Sequence, residues 1–180
     1  MNEPTHVAGV AVPNALRWLW LSIAIIAIDQ ATKAVIVANL ELFERHALLP
    51  VLEITRLHNT GAAFSMLSEA SGWQQYVFLA LALGVSVAIA FWLRVLPLAG
   101  SALLASGLAL IVGGAVGNAI DRVARDHVVD FIHFHWFESW YFPAFNVADS
   151  AITVGAGLVI LDALLDYRRA PPAAKPPGPA

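Results

Sequence analysis

Residues 95–120 read VLPLAGSALLASGLALIVGGAVGNAI: 26 positions without an Asp, Glu, Lys or Arg. Crossing a bilayer takes about 20 apolar residues, so this run is long enough for a membrane helix. Just upstream, 70–93 is a second charge-free run of 24 residues. Arg94 and Pro97 punctuate the pair and mark a tight turn. Residues 16–37 form a third candidate, apolar until Asp29 and Lys33. Residues 145–165 form a fourth, with Asp149 near its start and Asp162 near its end. The reading is an integral membrane protein, mainly α, with helices at about 16–37, 70–93, 96–120 and 145–165.

Composition agrees. Of 180 residues, 59% are hydrophobic and 13% charged, and mean hydropathy is +0.70. A soluble domain carries about 25% charged residues, so this chain has too few to cover a water-facing surface. A net charge of −3 and the lack of a basic patch argue against a nucleic-acid partner. There is no cysteine, which excludes disulfides, a thiol nucleophile and cysteine-ligated metals. The first 15 residues contain Glu3 and no Lys or Arg, and no small-residue cleavage site follows. The first apolar segment is therefore read as a retained helix after an N-terminal extension, 1–15.

Four crossings place the end of helix 1, the start of helix 2, the end of helix 3 and the start of helix 4 on one side. That side receives Asp29, Lys33, Asn59, Asn118, Asp121, Arg122, Asp130, Asn146 and Asp149. The connections on it are informative. Leu52–Arg56 alternates apolar and polar residues like a short strand, and Asn59-Thr60-Gly61 is turn chemistry. A small sheet at the membrane surface is expected. Residues 122–144 hold Phe131, Phe134, Trp136, Phe137, Trp140, Tyr141 and Phe142, which suits the headgroup level. The tail, 167–180, is rich in Pro and Ala and is expected to be disordered. Positive charge does not orient the chain. Arg17, Arg94, Arg168, Arg169 and Lys175 on one side face Lys33, Arg45, Arg56, Arg122 and Arg125 on the other. Setting aside Lys33 and Arg122 as possible site residues tips the balance toward cytoplasmic termini.

An acid inside a membrane is expensive and marks a candidate site. Asp130, flanked by Val128, Val129, Phe131 and Ile132, sits in an apolar setting that would raise its pKa. The bland alternative is a surface acid on a loop. Asp149 could merely cap helix 4, although Asn146 suits that role better. If the two converge they can share one proton, the chemistry of an aspartic protease. Asp29 and Lys33, four apart, share a helix face; the preferred reading is an ion pair that neutralises itself near the helix end, with orientation of a partner or contact with substrate headgroups as the alternative. Asn118, Asp121 and Arg122 follow Gly113, Gly114 and Gly117, whose small size admits a neighbouring helix. They fit either a structural polar cluster or direct substrate contact. Arg122 offers a planar donor fork to a carboxylate.

Other chemistries lack support. No His lies in the four apolar runs, no His-Glu-x-x-His motif exists, and no phosphate-binding glycine loop is present. Ser106 lacks a helix-borne His and is read as a packing residue. A proton-coupled transporter and a non-enzymatic scaffold are the alternatives. The first is disfavoured because the acids cluster at one face and do not trace a path across the bilayer.

Five motifs stand in one order: Asp29-Gln30-Ala31-Thr32-Lys33; Asn59-Thr60-Gly61-Ala62-Ala63-Phe64-Ser65; Gly113-Gly114-Ala115-Val116-Gly117-Asn118-Ala119-Ile120-Asp121-Arg122; Val129-Asp130-Phe131; and Phe145-Asn146-Val147-Ala148-Asp149-Ser150. Together they closely resemble the bacterial lipoprotein signal peptidases (signal peptidase II), over roughly 16–166. The resemblance implies a single four-helix membrane domain with a small β-sheet cradle and an interfacial segment on the outer side. It implies catalytic Asp130 and Asp149, supported by Asp29, Lys33, Asn59, Gly114, Asn118, Asp121, Arg122 and Asn146. It implies cleavage of diacylglyceryl-modified prolipoproteins just before the lipidated cysteine, with no metal or cofactor. Membrane lipids and the cyclic peptide inhibitor globomycin are implied partners. The location implied is the bacterial cytoplasmic membrane, with both termini cytoplasmic and the site near the outer face.

Overall fold

The computed structural model describes residues 14–61, 73–137 and 139–169. Among the described residues there are four long helices: α1 (Leu19–Asn39), α2 (Trp73–Val95), α3 (Ala102–Arg125) and α4 (Val147–Arg169). All four are long and apolar enough to cross a membrane. A 3-10 turn, Ala15–Trp18, leads into α1.

Helix α3 is the centre of the bundle. In its 18-residue apolar stretch 61% of residues are buried, against 17% in each of the other helices. Small residues cause this. A Cβ on Gly107 would lie 2.8 Å from the Gly155 carbonyl oxygen, and one on Gly155 would lie 2.6 Å from the Gly107 oxygen. Helices α3 and α4 therefore touch backbone to backbone, which only glycine permits there. On the α1 side, a Cβ on Gly113 would meet Ile25 at 2.9 Å. The outward faces carry exposed Trp20, Ile23, Leu81, Phe91 and Ile160, as a lipid-facing surface should.

One end of the bundle is apolar. Ala15, Ile89, Leu93, Ala105, Leu108 and Val112 pack together there. The amide of Ala15 donates to the Leu96 carbonyl at 3.0 Å, tying the start of α1 to the α2–α3 turn.

The opposite end carries an antiparallel sheet in the order β1 (Arg45–Leu49), β2 (Leu52–Asn59), β3 (Val128–Trp136), β4 (Trp140–Tyr141). In the β2–β3 pair, Glu53 faces His133 and Leu57 faces Asp130, with a bulge between Ile54 and Leu57. Arg56 fastens β2 to α1, donating to the Val37 and Leu40 carbonyls at 3.3 and 3.0 Å. These are unsatisfied acceptors at a helix C-terminus.

Several boundaries differ from the sequence expectation. The helix expected over 96–120 starts at Ala102 and ends at Arg125. Residues 96–101 form the turn, with Gly100 at φ +82°. At the other end, Asp121 and Arg125 pair within the helix, so charge does not stop it. Asp126 stops it instead, at φ +59°. The strand expected over Leu52–Arg56 runs on to Asn59, and β1 pairs with it. Ala15, assigned to the extension, is fully buried. The aromatic segment 122–144 contains the β3–β4 hairpin, and Trp136, Phe137, Trp140 and Phe142 are exposed on it. Residues 167–169, assigned to the disordered tail, are the last residues of α4. The first thirteen residues, the rest of the tail from 170, and Ala62 to Ser65 of the second motif lie outside the described residues.

Candidate active site

Asp130 lies on β3 within a fully buried run, Val128 to Phe131, and is 3% exposed. A carboxylate there has lost its water and needs donors. Two side-chain amides supply them. Asn59 Nδ2 donates to Oδ2 at 2.9 Å and Asn146 Nδ2 donates to Oδ1 at 2.7 Å. Burial, reinforced by the negative charge of Asp149, pushes the Asp130 carboxyl up to about 7; the two amides oppose the rise. Asn59 is itself held, because its Oδ1 accepts the Gly61 amide at 2.9 Å. Gly61 has φ +101°, and a Cβ there would lie 2.9 Å from the Phe78 ring.

Asp149 occupies the first turn of α4. The Asn146 Oδ1 accepts the Asp149 amide at 2.9 Å, and the Asp149 Oδ2 accepts the Asn146 amide at 3.2 Å. This reciprocal arrangement is a capping box. The sequence posed cap and active-site acid as alternatives for Asp149, and its geometry fits both. Asn118 Nδ2 donates to its Oδ1 at 2.7 Å. Asn146, fully buried, thus joins the two acids: its side chain reaches Asp130 and its cap fixes Asp149.

Beneath the acids lies an ion cluster. Lys33 is fully buried, and its three ammonium protons meet three acceptors. These are Asp29 Oδ2 at 2.8 Å, Asp121 Oδ2 at 2.9 Å and Asn118 Oδ1 at 2.9 Å. Arg125 pairs with Asp121 Oδ1, so two cations balance two anions. The remaining acceptor capacity points at backbone. Asp29 Oδ1 accepts the Ala148 amide at 3.0 Å, and Asp121 Oδ2 accepts the Val129 amide at 3.2 Å. Ala148 precedes Asp149 and Val129 precedes Asp130. Each acid is therefore anchored, one residue upstream, to a carboxylate held by Lys33. The Asp29–Lys33 pair forms as the sequence reading preferred, and it is also part of this anchor.

Gly114 belongs to the same construction. A Cβ on it would collide with the Ala148 carbonyl oxygen, so its absence lets the start of α4 reach α3. Arg122 differs from expectation. Among the described residues its fork takes no carboxylate: Nη1 donates to the Asn118 carbonyl at 3.3 Å, and the guanidinium sits 5.4 Å from the Phe78 ring centroid. Arg125, not Arg122, is the arginine on Asp121. Arg122 instead faces a groove of about 310 Å³ walled by Phe78, Leu81 and Val85 of α2, Ile111 and Asn118 of α3, and Asp149 and Ile152 of α4. The groove is mostly apolar, with Asp149 in its wall.

Two contributors went unread. Gln30 Nε2 reaches Asp29 Oδ2, the Gly117 carbonyl and Asp121 Oδ1 at 3.1, 3.1 and 3.2 Å. Only its place between Asp29 and Lys33 hinted at this. Arg125 stands four residues after Asp121, a spacing that brings side chains together on a helix. Among the described residues no cluster of His, Asp or Glu has metal-ligand geometry.

The family model for signal peptidase (SPase) II matches residues 21–165. A lipoprotein signal peptidase of Pseudomonas fluorescens (strain Pf0-1) is 49% identical, covering 84% of this chain and 92% of that protein. One from Shewanella pealeana (strain ATCC 700345 / ANG-SQ1) is 47% identical, with coverages of 84% and 88%. A solved structure described as "Bacterial membrane enzyme structure by the in meso method at 2.3 A resolution" superposes with a TM-score of 0.72 at 27% identity, over 88% of this chain and 94% of that one.

Proposed function

The chain belongs to the signal peptidase II family, and from that premise we propose that Asp130 and Asp149 are its catalytic acids. It is a multi-pass bacterial membrane protein and an aspartic protease that removes signal peptides from prolipoproteins. The observation that carries the assignment is the Asn146 bridge, which binds Asp130 at 2.7 Å while capping the turn that holds Asp149.

Two carboxyls this closely coupled hold one proton between them over a range of pH. Burial and the negative charge of Asp149 push the Asp130 carboxyl up to about 7, and we assign the shared proton to it. Ionised Asp149 takes a proton from a water as the water oxygen attacks the scissile carbonyl carbon. Protonated Asp130 donates to the carbonyl oxygen and stabilises the developing oxyanion. When the tetrahedral intermediate collapses, the proton taken by Asp149 passes to the leaving amine. The balance is one water consumed, one peptide bond broken, and both acids restored.

The groove beside Asp149 suits a signal-peptide helix entering sideways from the bilayer, with Arg122 offering its free donors to the substrate backbone. Cleavage just before a diacylglyceryl-modified cysteine would place the acyl chains among the exposed aromatics of the β3–β4 hairpin and the surrounding lipid. Globomycin would compete for the same groove. Both termini would be cytoplasmic and the sheet end would lie at the outer face.

Purified protein in detergent, given a diacylglyceryl-modified prolipoprotein, should produce a gel shift. Asp130→Asn and Asp149→Asn should each lower the rate roughly 1000-fold or more, within the range for losing a general acid or base, with thermal unfolding near wild type. Normal turnover by either folded variant would overturn the assignment.

A further inference from the structure

His58 and His127 take no part in the chemistry above, yet their placement is specific. His58 is on β2, one residue before Asn59. His127 lies between Asp126, which ends α3 at φ +59°, and Val128, which opens β3. Their rings are stacked, with centroids 3.6 Å apart and planes 24° apart. In the β2–β3 register, His58 faces Val129 and Asn59 faces Val128. The stack therefore clamps the end of β2 to the start of β3, at the rungs from which Asn59 reaches Asp130.

We propose that His58 and His127 are positioning residues: as neutral stacked rings they hold Asn59 against Asp130, and protonation of the pair opens this joint and withdraws Asn59. The inference rests on Asp130 being catalytic. Neutral aromatic rings attract when stacked, whereas two imidazolium ions at this separation repel strongly in a partly buried site. The charged groups facing the pair are mostly cationic. Burial, the neighbouring His127 and Arg56 all lower the His58 pKa. Burial is also the main effect on His127 and lowers it. Arg125 and Arg56 add to the lowering, while the Arg125 carbonyl and Asp121 oppose it. As pH falls below the ordinary histidine value of about 6.5, the open joint takes up protons that the stacked rings refuse. The closed joint is therefore intact above that pH and weakens below it.

The test is kcat/KM of the full chain in detergent, on a diacylglyceryl-modified prolipoprotein, from about pH 5 to 8, the window in which histidines titrate. Wild type is compared with His58→Phe/His127→Phe, His127→Phe alone, Asn59→Ala and Asp130→Asn. Phenylalanine can stack but cannot take a proton. The double variant should match wild type at about pH 7.5 and exceed it several-fold at about pH 5.5. The single variant should shift the acid limb in the same direction, which covers a double variant that fails to fold. Combining either with Asn59→Ala should abolish the advantage, because the joint acts through Asn59. Superimposed profiles of wild type and a folded Phe variant would overturn the proposal. Loss of cleavage at pH 7.5 by both folded Phe variants would also overturn it. Activity surviving in Asp130→Asn would instead condemn the site assignment, so the two failures are distinguishable.

Discussion

The two ends of this bundle are built on opposite principles. At the α2–α3 turn, Ala15, Leu93, Ala105 and Leu108 make a buried apolar plug. At the sheet end, Asp29, Lys33, Asn118, Asp121, Asp130 and Asn146 are all buried, and nearly every polar atom among them is paired. Both ends share α3, whose small residues let neighbouring helices come close. The difference teaches where specificity resides. Apolar packing tolerates similar shapes, whereas a buried charge network fixes one arrangement and penalises the loss of any member. Activity should therefore be sensitive to the polar end, and stability alone to the apolar end.

The harshest test of that contrast is Lys33→Met. It leaves Asp29 and Asp121 buried with Arg125 as the remaining cation, and removing one partner of a buried charge pair costs roughly 3–5 kcal/mol. A large drop in unfolding temperature should accompany loss of cleavage. A stable, active Lys33→Met enzyme would break the comparison. Next, Asn146→Ala removes one amide from Asp130 and the helix cap. Losing an N-cap costs about 1 kcal/mol, but cleavage should fall about 100-fold, because both acids lose a positioning contact. A gentler test lies at the other end. Leu93→Ala opens a cavity in lipid-bathed protein, where the water-transfer contribution is small and the cavity contribution of about 1–2 kcal/mol remains. Unfolding temperature should fall while kcat/KM of the folded enzyme is unchanged. A matching loss of kcat/KM would show that the two ends are coupled through α3.

The smallest expected effect concerns pH. The Asp130 carboxyl is raised from 3.8 to about 7, so the unfolded chain loses this proton first as pH rises. The native state accordingly loses stability between about pH 4 and 7 on this account. Asp130→Asn lacks the titration. Its unfolding temperature should gain on wild type across that window and run parallel above it. A constant offset would contradict the raised value. In the same way, cleavage by wild type should decline above about pH 7, as the shared proton is lost.

The fold was legible because charge-free runs of membrane length are rare and unambiguous, and parity gathers the polar residues at one end. The helix ends were less legible. Asp121 and Arg125 look like a stop, and only their pairing across one turn makes them helical. The sheet was half readable. Leu52–Arg56 alternates, but β3 is buried on both faces through Val128–Phe131, so its apolar residues show no period-two signal. Pairing of Asp130 with Leu57 across a bulge is set by register, which no local pattern states. Asn146 as the cap was readable from its chemistry. Its second bond, to Asp130, was not, because it depends on how α4 meets the sheet. Arg122 was read as offering its fork to a carboxylate from the chemistry of the guanidinium, but which arginine of α3 meets Asp121 is set by helix spacing, and Arg125, four residues on, is the one that does.

The central claim is that Asp130 and Asp149 are one acid pair holding a shared proton near neutrality. An infrared titration of the carboxyl groups, wild type against Asp130→Asn, tests it most directly. The account predicts a protonated carboxyl in the wild type that titrates with a midpoint near pH 7 and is missing from the variant. A wild type whose carboxyls have all ionised in the ordinary range, about pH 4, would contradict it.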